Sequence, residues 1–177
     1  MKRSHFIILC LYAMIMQSCS KQYSYFTKQL HDEFNWSDQE LKEIQFYLSE
    51  DIVLHRELSR EDSRITNGKI KISGGSEIEE LIFEKDTPGI LMFSPKEDRF
   101  AVSFEEGKYL MFGPNKKTQG RFVLLAKEWN RRSGQITYGD KVYQTPSESA
   151  YASLLVDVDN IRKTKYKVKK AEGRKVN

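Results

Sequence analysis

This chain of 177 residues has few of the groups from which active sites are usually built. Of its two cysteines, Cys10 lies within an apolar run near the N-terminus, and only Cys19 follows that run. If the run is removed, no disulfide can form within the remaining chain. His31 and His55 are then the only histidines left, and a zinc site would have to lean on carboxylates. There is no Gly-x-Ser-x-Gly elbow and no cysteine near a histidine. Gly74-Gly75-Ser76 lacks the glycine spacing of a phosphate loop and is followed by acidic residues, which repel phosphate. The apolar run itself, residues 6–16 (FIILCLYAMIM), falls short of the roughly 20 residues that a transmembrane helix needs. Internal repeats are lacking too. These absences weigh against metal, nucleophilic and phosphate chemistry and predict no catalytic residue, no metal and no cofactor.

What is present begins with that run. Lys2 and Arg3 precede it, and Gln17, Ser18, Ser20, Lys21 and Gln22 end it, which is the layout of a secretory signal peptide over residues 1–18. At its end, Met16-Gln17-Ser18-Cys19 resembles the lipobox of bacterial lipoprotein precursors: a large apolar residue at −3, a small one at −1 and cysteine at +1, with Gln17 standing where a small residue is usual. The resemblance implies cleavage before Cys19 and acylation of that cysteine. Each buried CH₂ contributes about 0.8 kcal/mol, so several acyl chains hold a protein firmly at a bilayer where one does not. Acylation would also remove the free thiol that an exported protein would otherwise expose. Ser20, in place of the aspartate that retains many such lipoproteins at the inner membrane, points to the outer membrane, with the protein on its periplasmic face.

The 29 basic and 25 acidic residues leave a net charge of +4, and +2 without Lys2 and Arg3. The basic excess sits at one end. Residues 161–177 hold Arg162, Lys163, Lys165, Lys167, Lys169, Lys170, Arg174 and Lys175 against Glu172 alone, a net of +7, so that residues 19–160 carry −5. Tyr166 and Val168 alternate with lysines, which suits an edge strand guarded against further pairing. The same lysines suit a cationic patch for an acidic partner surface or anionic lipid head groups. Nucleic acid is not expected as a partner for an exported chain.

Residues 19–35 read as a lipidated N-terminus and tether, although Phe26, Leu30 and Phe34 recur at helical spacing. Residues 36–160 read as a mainly β domain. Ser37 and Glu40 form a capping box and Trp36 and Leu41 a hydrophobic staple, so a short helix should start at Asp38. A strand is expected from about Gln45, interrupted near Ser49-Glu50. Asn67-Gly68 and Gly139-Asp140 predict tight hairpins. Between them, apolar runs alternate with turn clusters, including Ser94-Pro95-Lys96-Glu97-Asp98, as in a meander. Tyr109-Leu110-Met111-Phe112 is apolar on both faces, as a central strand would be. Ala152, Leu154, Val156 and Val158 mark a last strand running to Asp159. About nine strands and one or two short N-terminal helices fit an antiparallel β-barrel or sandwich.

Asp157 and Asp159 would share one strand face and could bind Ca²⁺ or act as an acid and base pair, though a solvated face explains them as well. Trp36, Trp129, Tyr138, Tyr143 and Tyr151 could stack on sugar rings if they formed an exposed row, and most should be core. His55 reads as a surface or edge histidine. In size and plan, an anchor followed by a compact β domain, the chain is similar to small accessory lipoproteins of envelope machines such as secretion apparatus. That resemblance implies a non-enzymatic binding or scaffolding subunit with an envelope protein as partner. The alternatives are a surface carbohydrate-binding or nutrient-uptake lipoprotein and an envelope hydrolase.

Overall fold

The computed structural model describes residues 22–58, 70–73, 76–158 and 161. The signal peptide, Cys19, the Asn67-Gly68 hairpin, Asp159 and the basic residues 162–177 lie outside the described residues.

Two antiparallel sheets share one hydrophobic core. Strand β1 (Ser24–Tyr25) leads into helix α1 (Lys28–Phe34), which is capped by the Thr27 side chain and closed by Asn35 at φ 44°. Helix α2 (Asp38–Lys42) begins at the expected capping box, where the Ser37 side chain and the Glu40 side chain each accept from the other residue's backbone N–H. There follow β2 (Gln45–Leu48), β3 (Ile52–Glu57), β4 (Ile70–Ser73) and β5 (Ser76–Phe83). Next come β6 (Pro88–Lys96), β7 (Arg99–Glu105), β8 (Lys108–Asn115) and β9 (Arg121–Leu124). The described chain closes with β10 (Glu128–Trp129), β11 (Ser133–Tyr138), β12 (Lys141–Pro146) and β13 (Leu154–Val156).

The first sheet runs β1-β13-β2-β6-β7-β8-β9 and the second β10-β11-β12-β3-β5-β4. The chain passes between sheets four times: at Ser49-Glu50-Asp51, where the expected interruption falls, between β5 and β6, after β9, and between β12 and β13. Among the described residues no closed barrel forms: there β9 meets the opposite edge only through the isolated bridges Thr27–Arg121 and Val123–Ser153. A sandwich-like arrangement fits the two sheets.

Four expectations need correction. The tether does not extend to residue 35, because Tyr25 pairs with Leu155 and Phe26 is fully buried. Its backbone explains this: the Phe26 N–H donates to Leu154 at 2.8 Å, and its carbonyl accepts from Phe122 at 3.0 Å. The turn after β6 is only Glu97-Asp98; Ser94-Pro95-Lys96 remains in strand, with register shifts along β6 that accommodate a residue lacking an N–H. The last strand stops at Val156, so Asp157 and Val158 lie beyond it, and the Ile161 N–H donates to the Asp157 carbonyl at 3.1 Å; the partner carboxylate Asp159 lies outside the described residues. Ile161 packs against the core, which carries the domain one residue past its expected end.

Gly139, at φ 63°, supplies the tight turn between β11 and β12 as expected. Gly134 serves packing instead: a Cβ there would lie 2.5 Å from the Trp129 ring.

Candidate functional site

The residues singled out as a stacking row for sugars do not come together. Trp36, Tyr138 and Tyr143 are buried, Trp129 lies against Gly134, and Tyr151 alone of the five is exposed. Trp36 stacks on Phe34 at 4.7 Å and on Phe26 at 5.8 Å. His55 lies half-buried on β3, between Gln144 of β12 and Glu80 of β5, and so on an interior strand rather than an edge. His31 sits among the Phe26, Phe100 and Phe122 rings with Nδ1 3.2 Å from Asp32. Among the described residues, no three His, Cys, Asp or Glu side chains converge as metal ligands, and no helix is long and apolar enough to cross a membrane.

Two constellations emerge that the sequence did not announce. The first is a groove of about 400 Å³ on the outer side of the first sheet, where it meets β11. One wall comes from Phe93 and Pro95 of β6, Arg99 of β7, and Tyr109 and Met111 of β8. The other comes from residues 125–127, from Ile136 and Thr137 of β11, and from Gly139. Register builds it. Phe93 pairs with Ala101 and Ala101 with Met111, while Leu125 N–H donates to the Met111 carbonyl at 2.8 Å. Lys127 N–H then donates to Gln135 at 2.8 Å, which turns the chain into the second sheet and raises the far wall.

Phe93 and Tyr109 meet edge to face at 5.1 Å and remain 40% and 36% exposed. Such a pair is a rigid apolar surface with few torsions to freeze on binding. Arg99 and Lys127 are exposed, and among the described residues no carboxylate lines the groove and neither cation forms a salt bridge. The signal for this site was the two-faced apolar character of "YLMF". Leu110 and Phe112 fill the core as that pattern predicts, while Tyr109 and Met111 form the groove wall.

Beyond Gly139, Lys108 lies 5.3 Å over the Tyr138 ring and 3.1 Å from Glu105, which also accepts from the Tyr138 hydroxyl at 2.9 Å. Burial works against charge on Glu105, but the hydrogen bonds from Lys108 and Tyr138 together outweigh it and hold the carboxyl below its usual range. A carboxyl depressed in the folded state stabilises the fold above its unfolded pKa, and that contribution disappears as pH falls through the folded value. Tyr138→Phe removes one of the two donors. Its stability deficit relative to wild type should be present at pH 7 and shrink below about pH 4. Urea unfolding across that range checks this, and a deficit that does not change with pH would count against it.

The second constellation is buried on the inner face of the second sheet. Arg56 of β3 donates through Nε to Glu79 of β5, its cross-strand partner. Tyr143 of β12 donates to the same carboxylate at 3.3 Å, and Lys141 lies 3.9 Å away. Burial first, then the nearby Glu79 charge, pushes the Tyr143 hydroxyl above its ordinary value. With Glu79 and Arg56 side chains only 9% and 13% exposed, this is a structural ion pair built into a sheet interior.

Comparison with known proteins finds no matching family model, no similar curated protein and no similar solved structure. Fold and site therefore define the class directly: a mainly β domain of two antiparallel sheets with an apolar, cation-rimmed surface groove.

Proposed function

We propose that this protein is a lipid-anchored docking subunit of a cell envelope, held through acylated Cys19 on the periplasmic face of an outer membrane and binding an envelope protein partner. The observation that carries the proposal is Cys19 itself, placed directly after Ser18 where the apolar run turns polar. A lone thiol in an exported chain is a liability unless it is modified. The groove supports a binding role, since ligand clefts combine an apolar lining with a few directing polar groups. The basic residues Arg162, Lys163, Lys165, Lys167, Lys169, Lys170, Arg174 and Lys175 would add electrostatic attraction to an acidic partner or to lipid head groups. In this reading the link to the anchor is shorter than the expected tether, because Tyr23 already packs on Tyr47 and the chain enters the sheet at Ser24. The fold is read as a sandwich whose first sheet curls far enough for β9 to bond back to Thr27 and Ser153.

Cys19→Ala should move the protein from the membrane pellet to the soluble fraction after a salt wash. Continued sedimentation of the variant would mean that something other than an acyl anchor holds it. Cross-linking in living cells, followed by purification through a C-terminal tag, should recover one or a few envelope proteins in fixed ratio.

A further inference from the structure

We infer that the groove receives an extended acidic peptide of a protein partner, with an apolar side chain against Phe93 and Tyr109 and carboxylates facing Arg99 and Lys127. This rests on the docking function proposed above. Charge complementarity selects the occupant: among the described residues two cations border the opening, no carboxylate lines it, and neither cation is neutralised by a salt bridge. An arginine guanidinium can hold a carboxylate through two parallel hydrogen bonds, and lysine adds a point charge, so acidic side chains gain both direction and attraction here.

The chain's own basic end has the wrong sign for this place, since eight Lys and Arg residues would meet Arg99 and Lys127. Shape argues against a fatty acyl chain. The groove lies along a sheet face, with Phe93, Pro95, Tyr109 and Thr137 still exposed, whereas a long acyl chain gains most when its whole length is removed from water. A volume of about 400 Å³ accommodates one or two side chains of a short segment, at the lower end of ligand clefts. The aromatic pair provides the anchor and the cations at the rim provide selection against neutral or basic sequences.

The test uses the full-length protein, Cys19 included, in nanodiscs of zwitterionic phosphatidylcholine. It is titrated with a fluorescein-labelled peptide of alternating phenylalanine and aspartate, and with the same peptide carrying lysine in place of aspartate. The acidic peptide should bind with Kd of order 10–100 μM, typical of weak docking segments. The pair Arg99→Glu and Lys127→Glu should weaken it at least tenfold, as should Phe93→Ser, and added salt should weaken wild-type binding. These residues are exposed or rim positions, so unchanged thermal melting separates lost binding from lost folding.

Equal binding of the lysine peptide, wild-type affinity in the charge-reversed variant, or no acidic-peptide binding up to about 1 mM overturns the inference. Phosphatidylglycerol vesicles that displace the peptide through the same two cations would assign the groove to lipid head groups and also overturn it. If the peptide fails while cellular cross-linking still recovers a partner, the groove assignment falls and the docking function stands; if both fail, both fall.

Discussion

Phe26→Ala is expected to lower the stability of the domain by about 3–5 kcal/mol, the range for truncating a fully buried phenylalanine. The ring is completely covered and lies 5.0 Å from Phe122, 5.3 Å from Phe46, 5.6 Å from Phe100 and 5.8 Å from Trp36. It therefore joins the connection between α1 and α2, β2, β7 and β9 around a single side chain, while its backbone bonds to Leu154 and Phe122 tie β13 to β9. Truncation leaves a cavity that four aromatic neighbours cannot easily collapse into, because rings move as rigid plates. Urea denaturation of the wild type and the variant measures the difference. A loss under about 1 kcal/mol would indicate that the segment behaves as the tether its composition suggests, with its helix and strand only loosely applied to the sheet.

Glu79→Leu should cost about 3 kcal/mol or more, because it leaves the Arg56 guanidinium without the carboxylate its Nε donates to, on a buried sheet face. Breaking one side of a buried pair is worse than removing both. The double variant Arg56→Met, Glu79→Leu should recover most of the loss, and Tyr143→Phe added to it should recover more, since the tyrosine hydroxyl also donates to that carboxylate. Unfolding midpoints of the three variants form the measurement. A double variant no more stable than Glu79→Leu alone would show that Arg56 stabilises the fold through other contacts.

The contrast between these two sites explains how much of the molecule was legible in its residues. Local signals translated directly. Ser37 and Glu40 close the capping box, Gly139 turns the β11–β12 hairpin, and the break at Ser49-Glu50 separates β2 from β3. Each depends on neighbours within a few positions, so the chain carries its own instruction. The sequence around Phe26, polar and aromatic, matches a linker. The burial of Phe26 comes from partners at positions 46, 100 and 122, which no local pattern identifies. Pro95 likewise stands in a cluster of turn residues, and only pairing with β7 reveals the register shifts that keep it in strand.

The candidate groove lies furthest from the sequence pattern. Its walls come from residues 93–111 and 125–139, and "YLMF" hinted only that β8 was covered on both sides. The antiparallel, mainly β class, the capped helix and the charge division follow from residue type and short spacing, because these determine backbone preference and polarity locally. Tertiary structure alone decided that the N-terminal segment belongs to the core, that Arg56 and Glu79 meet across two strands, and that Phe93, Tyr109, Arg99 and Lys127 share one cleft. Those outcomes depend on strand order and register, which bring distant residues to one face, and the energy that selects them is gained only when the sheets close over a common core.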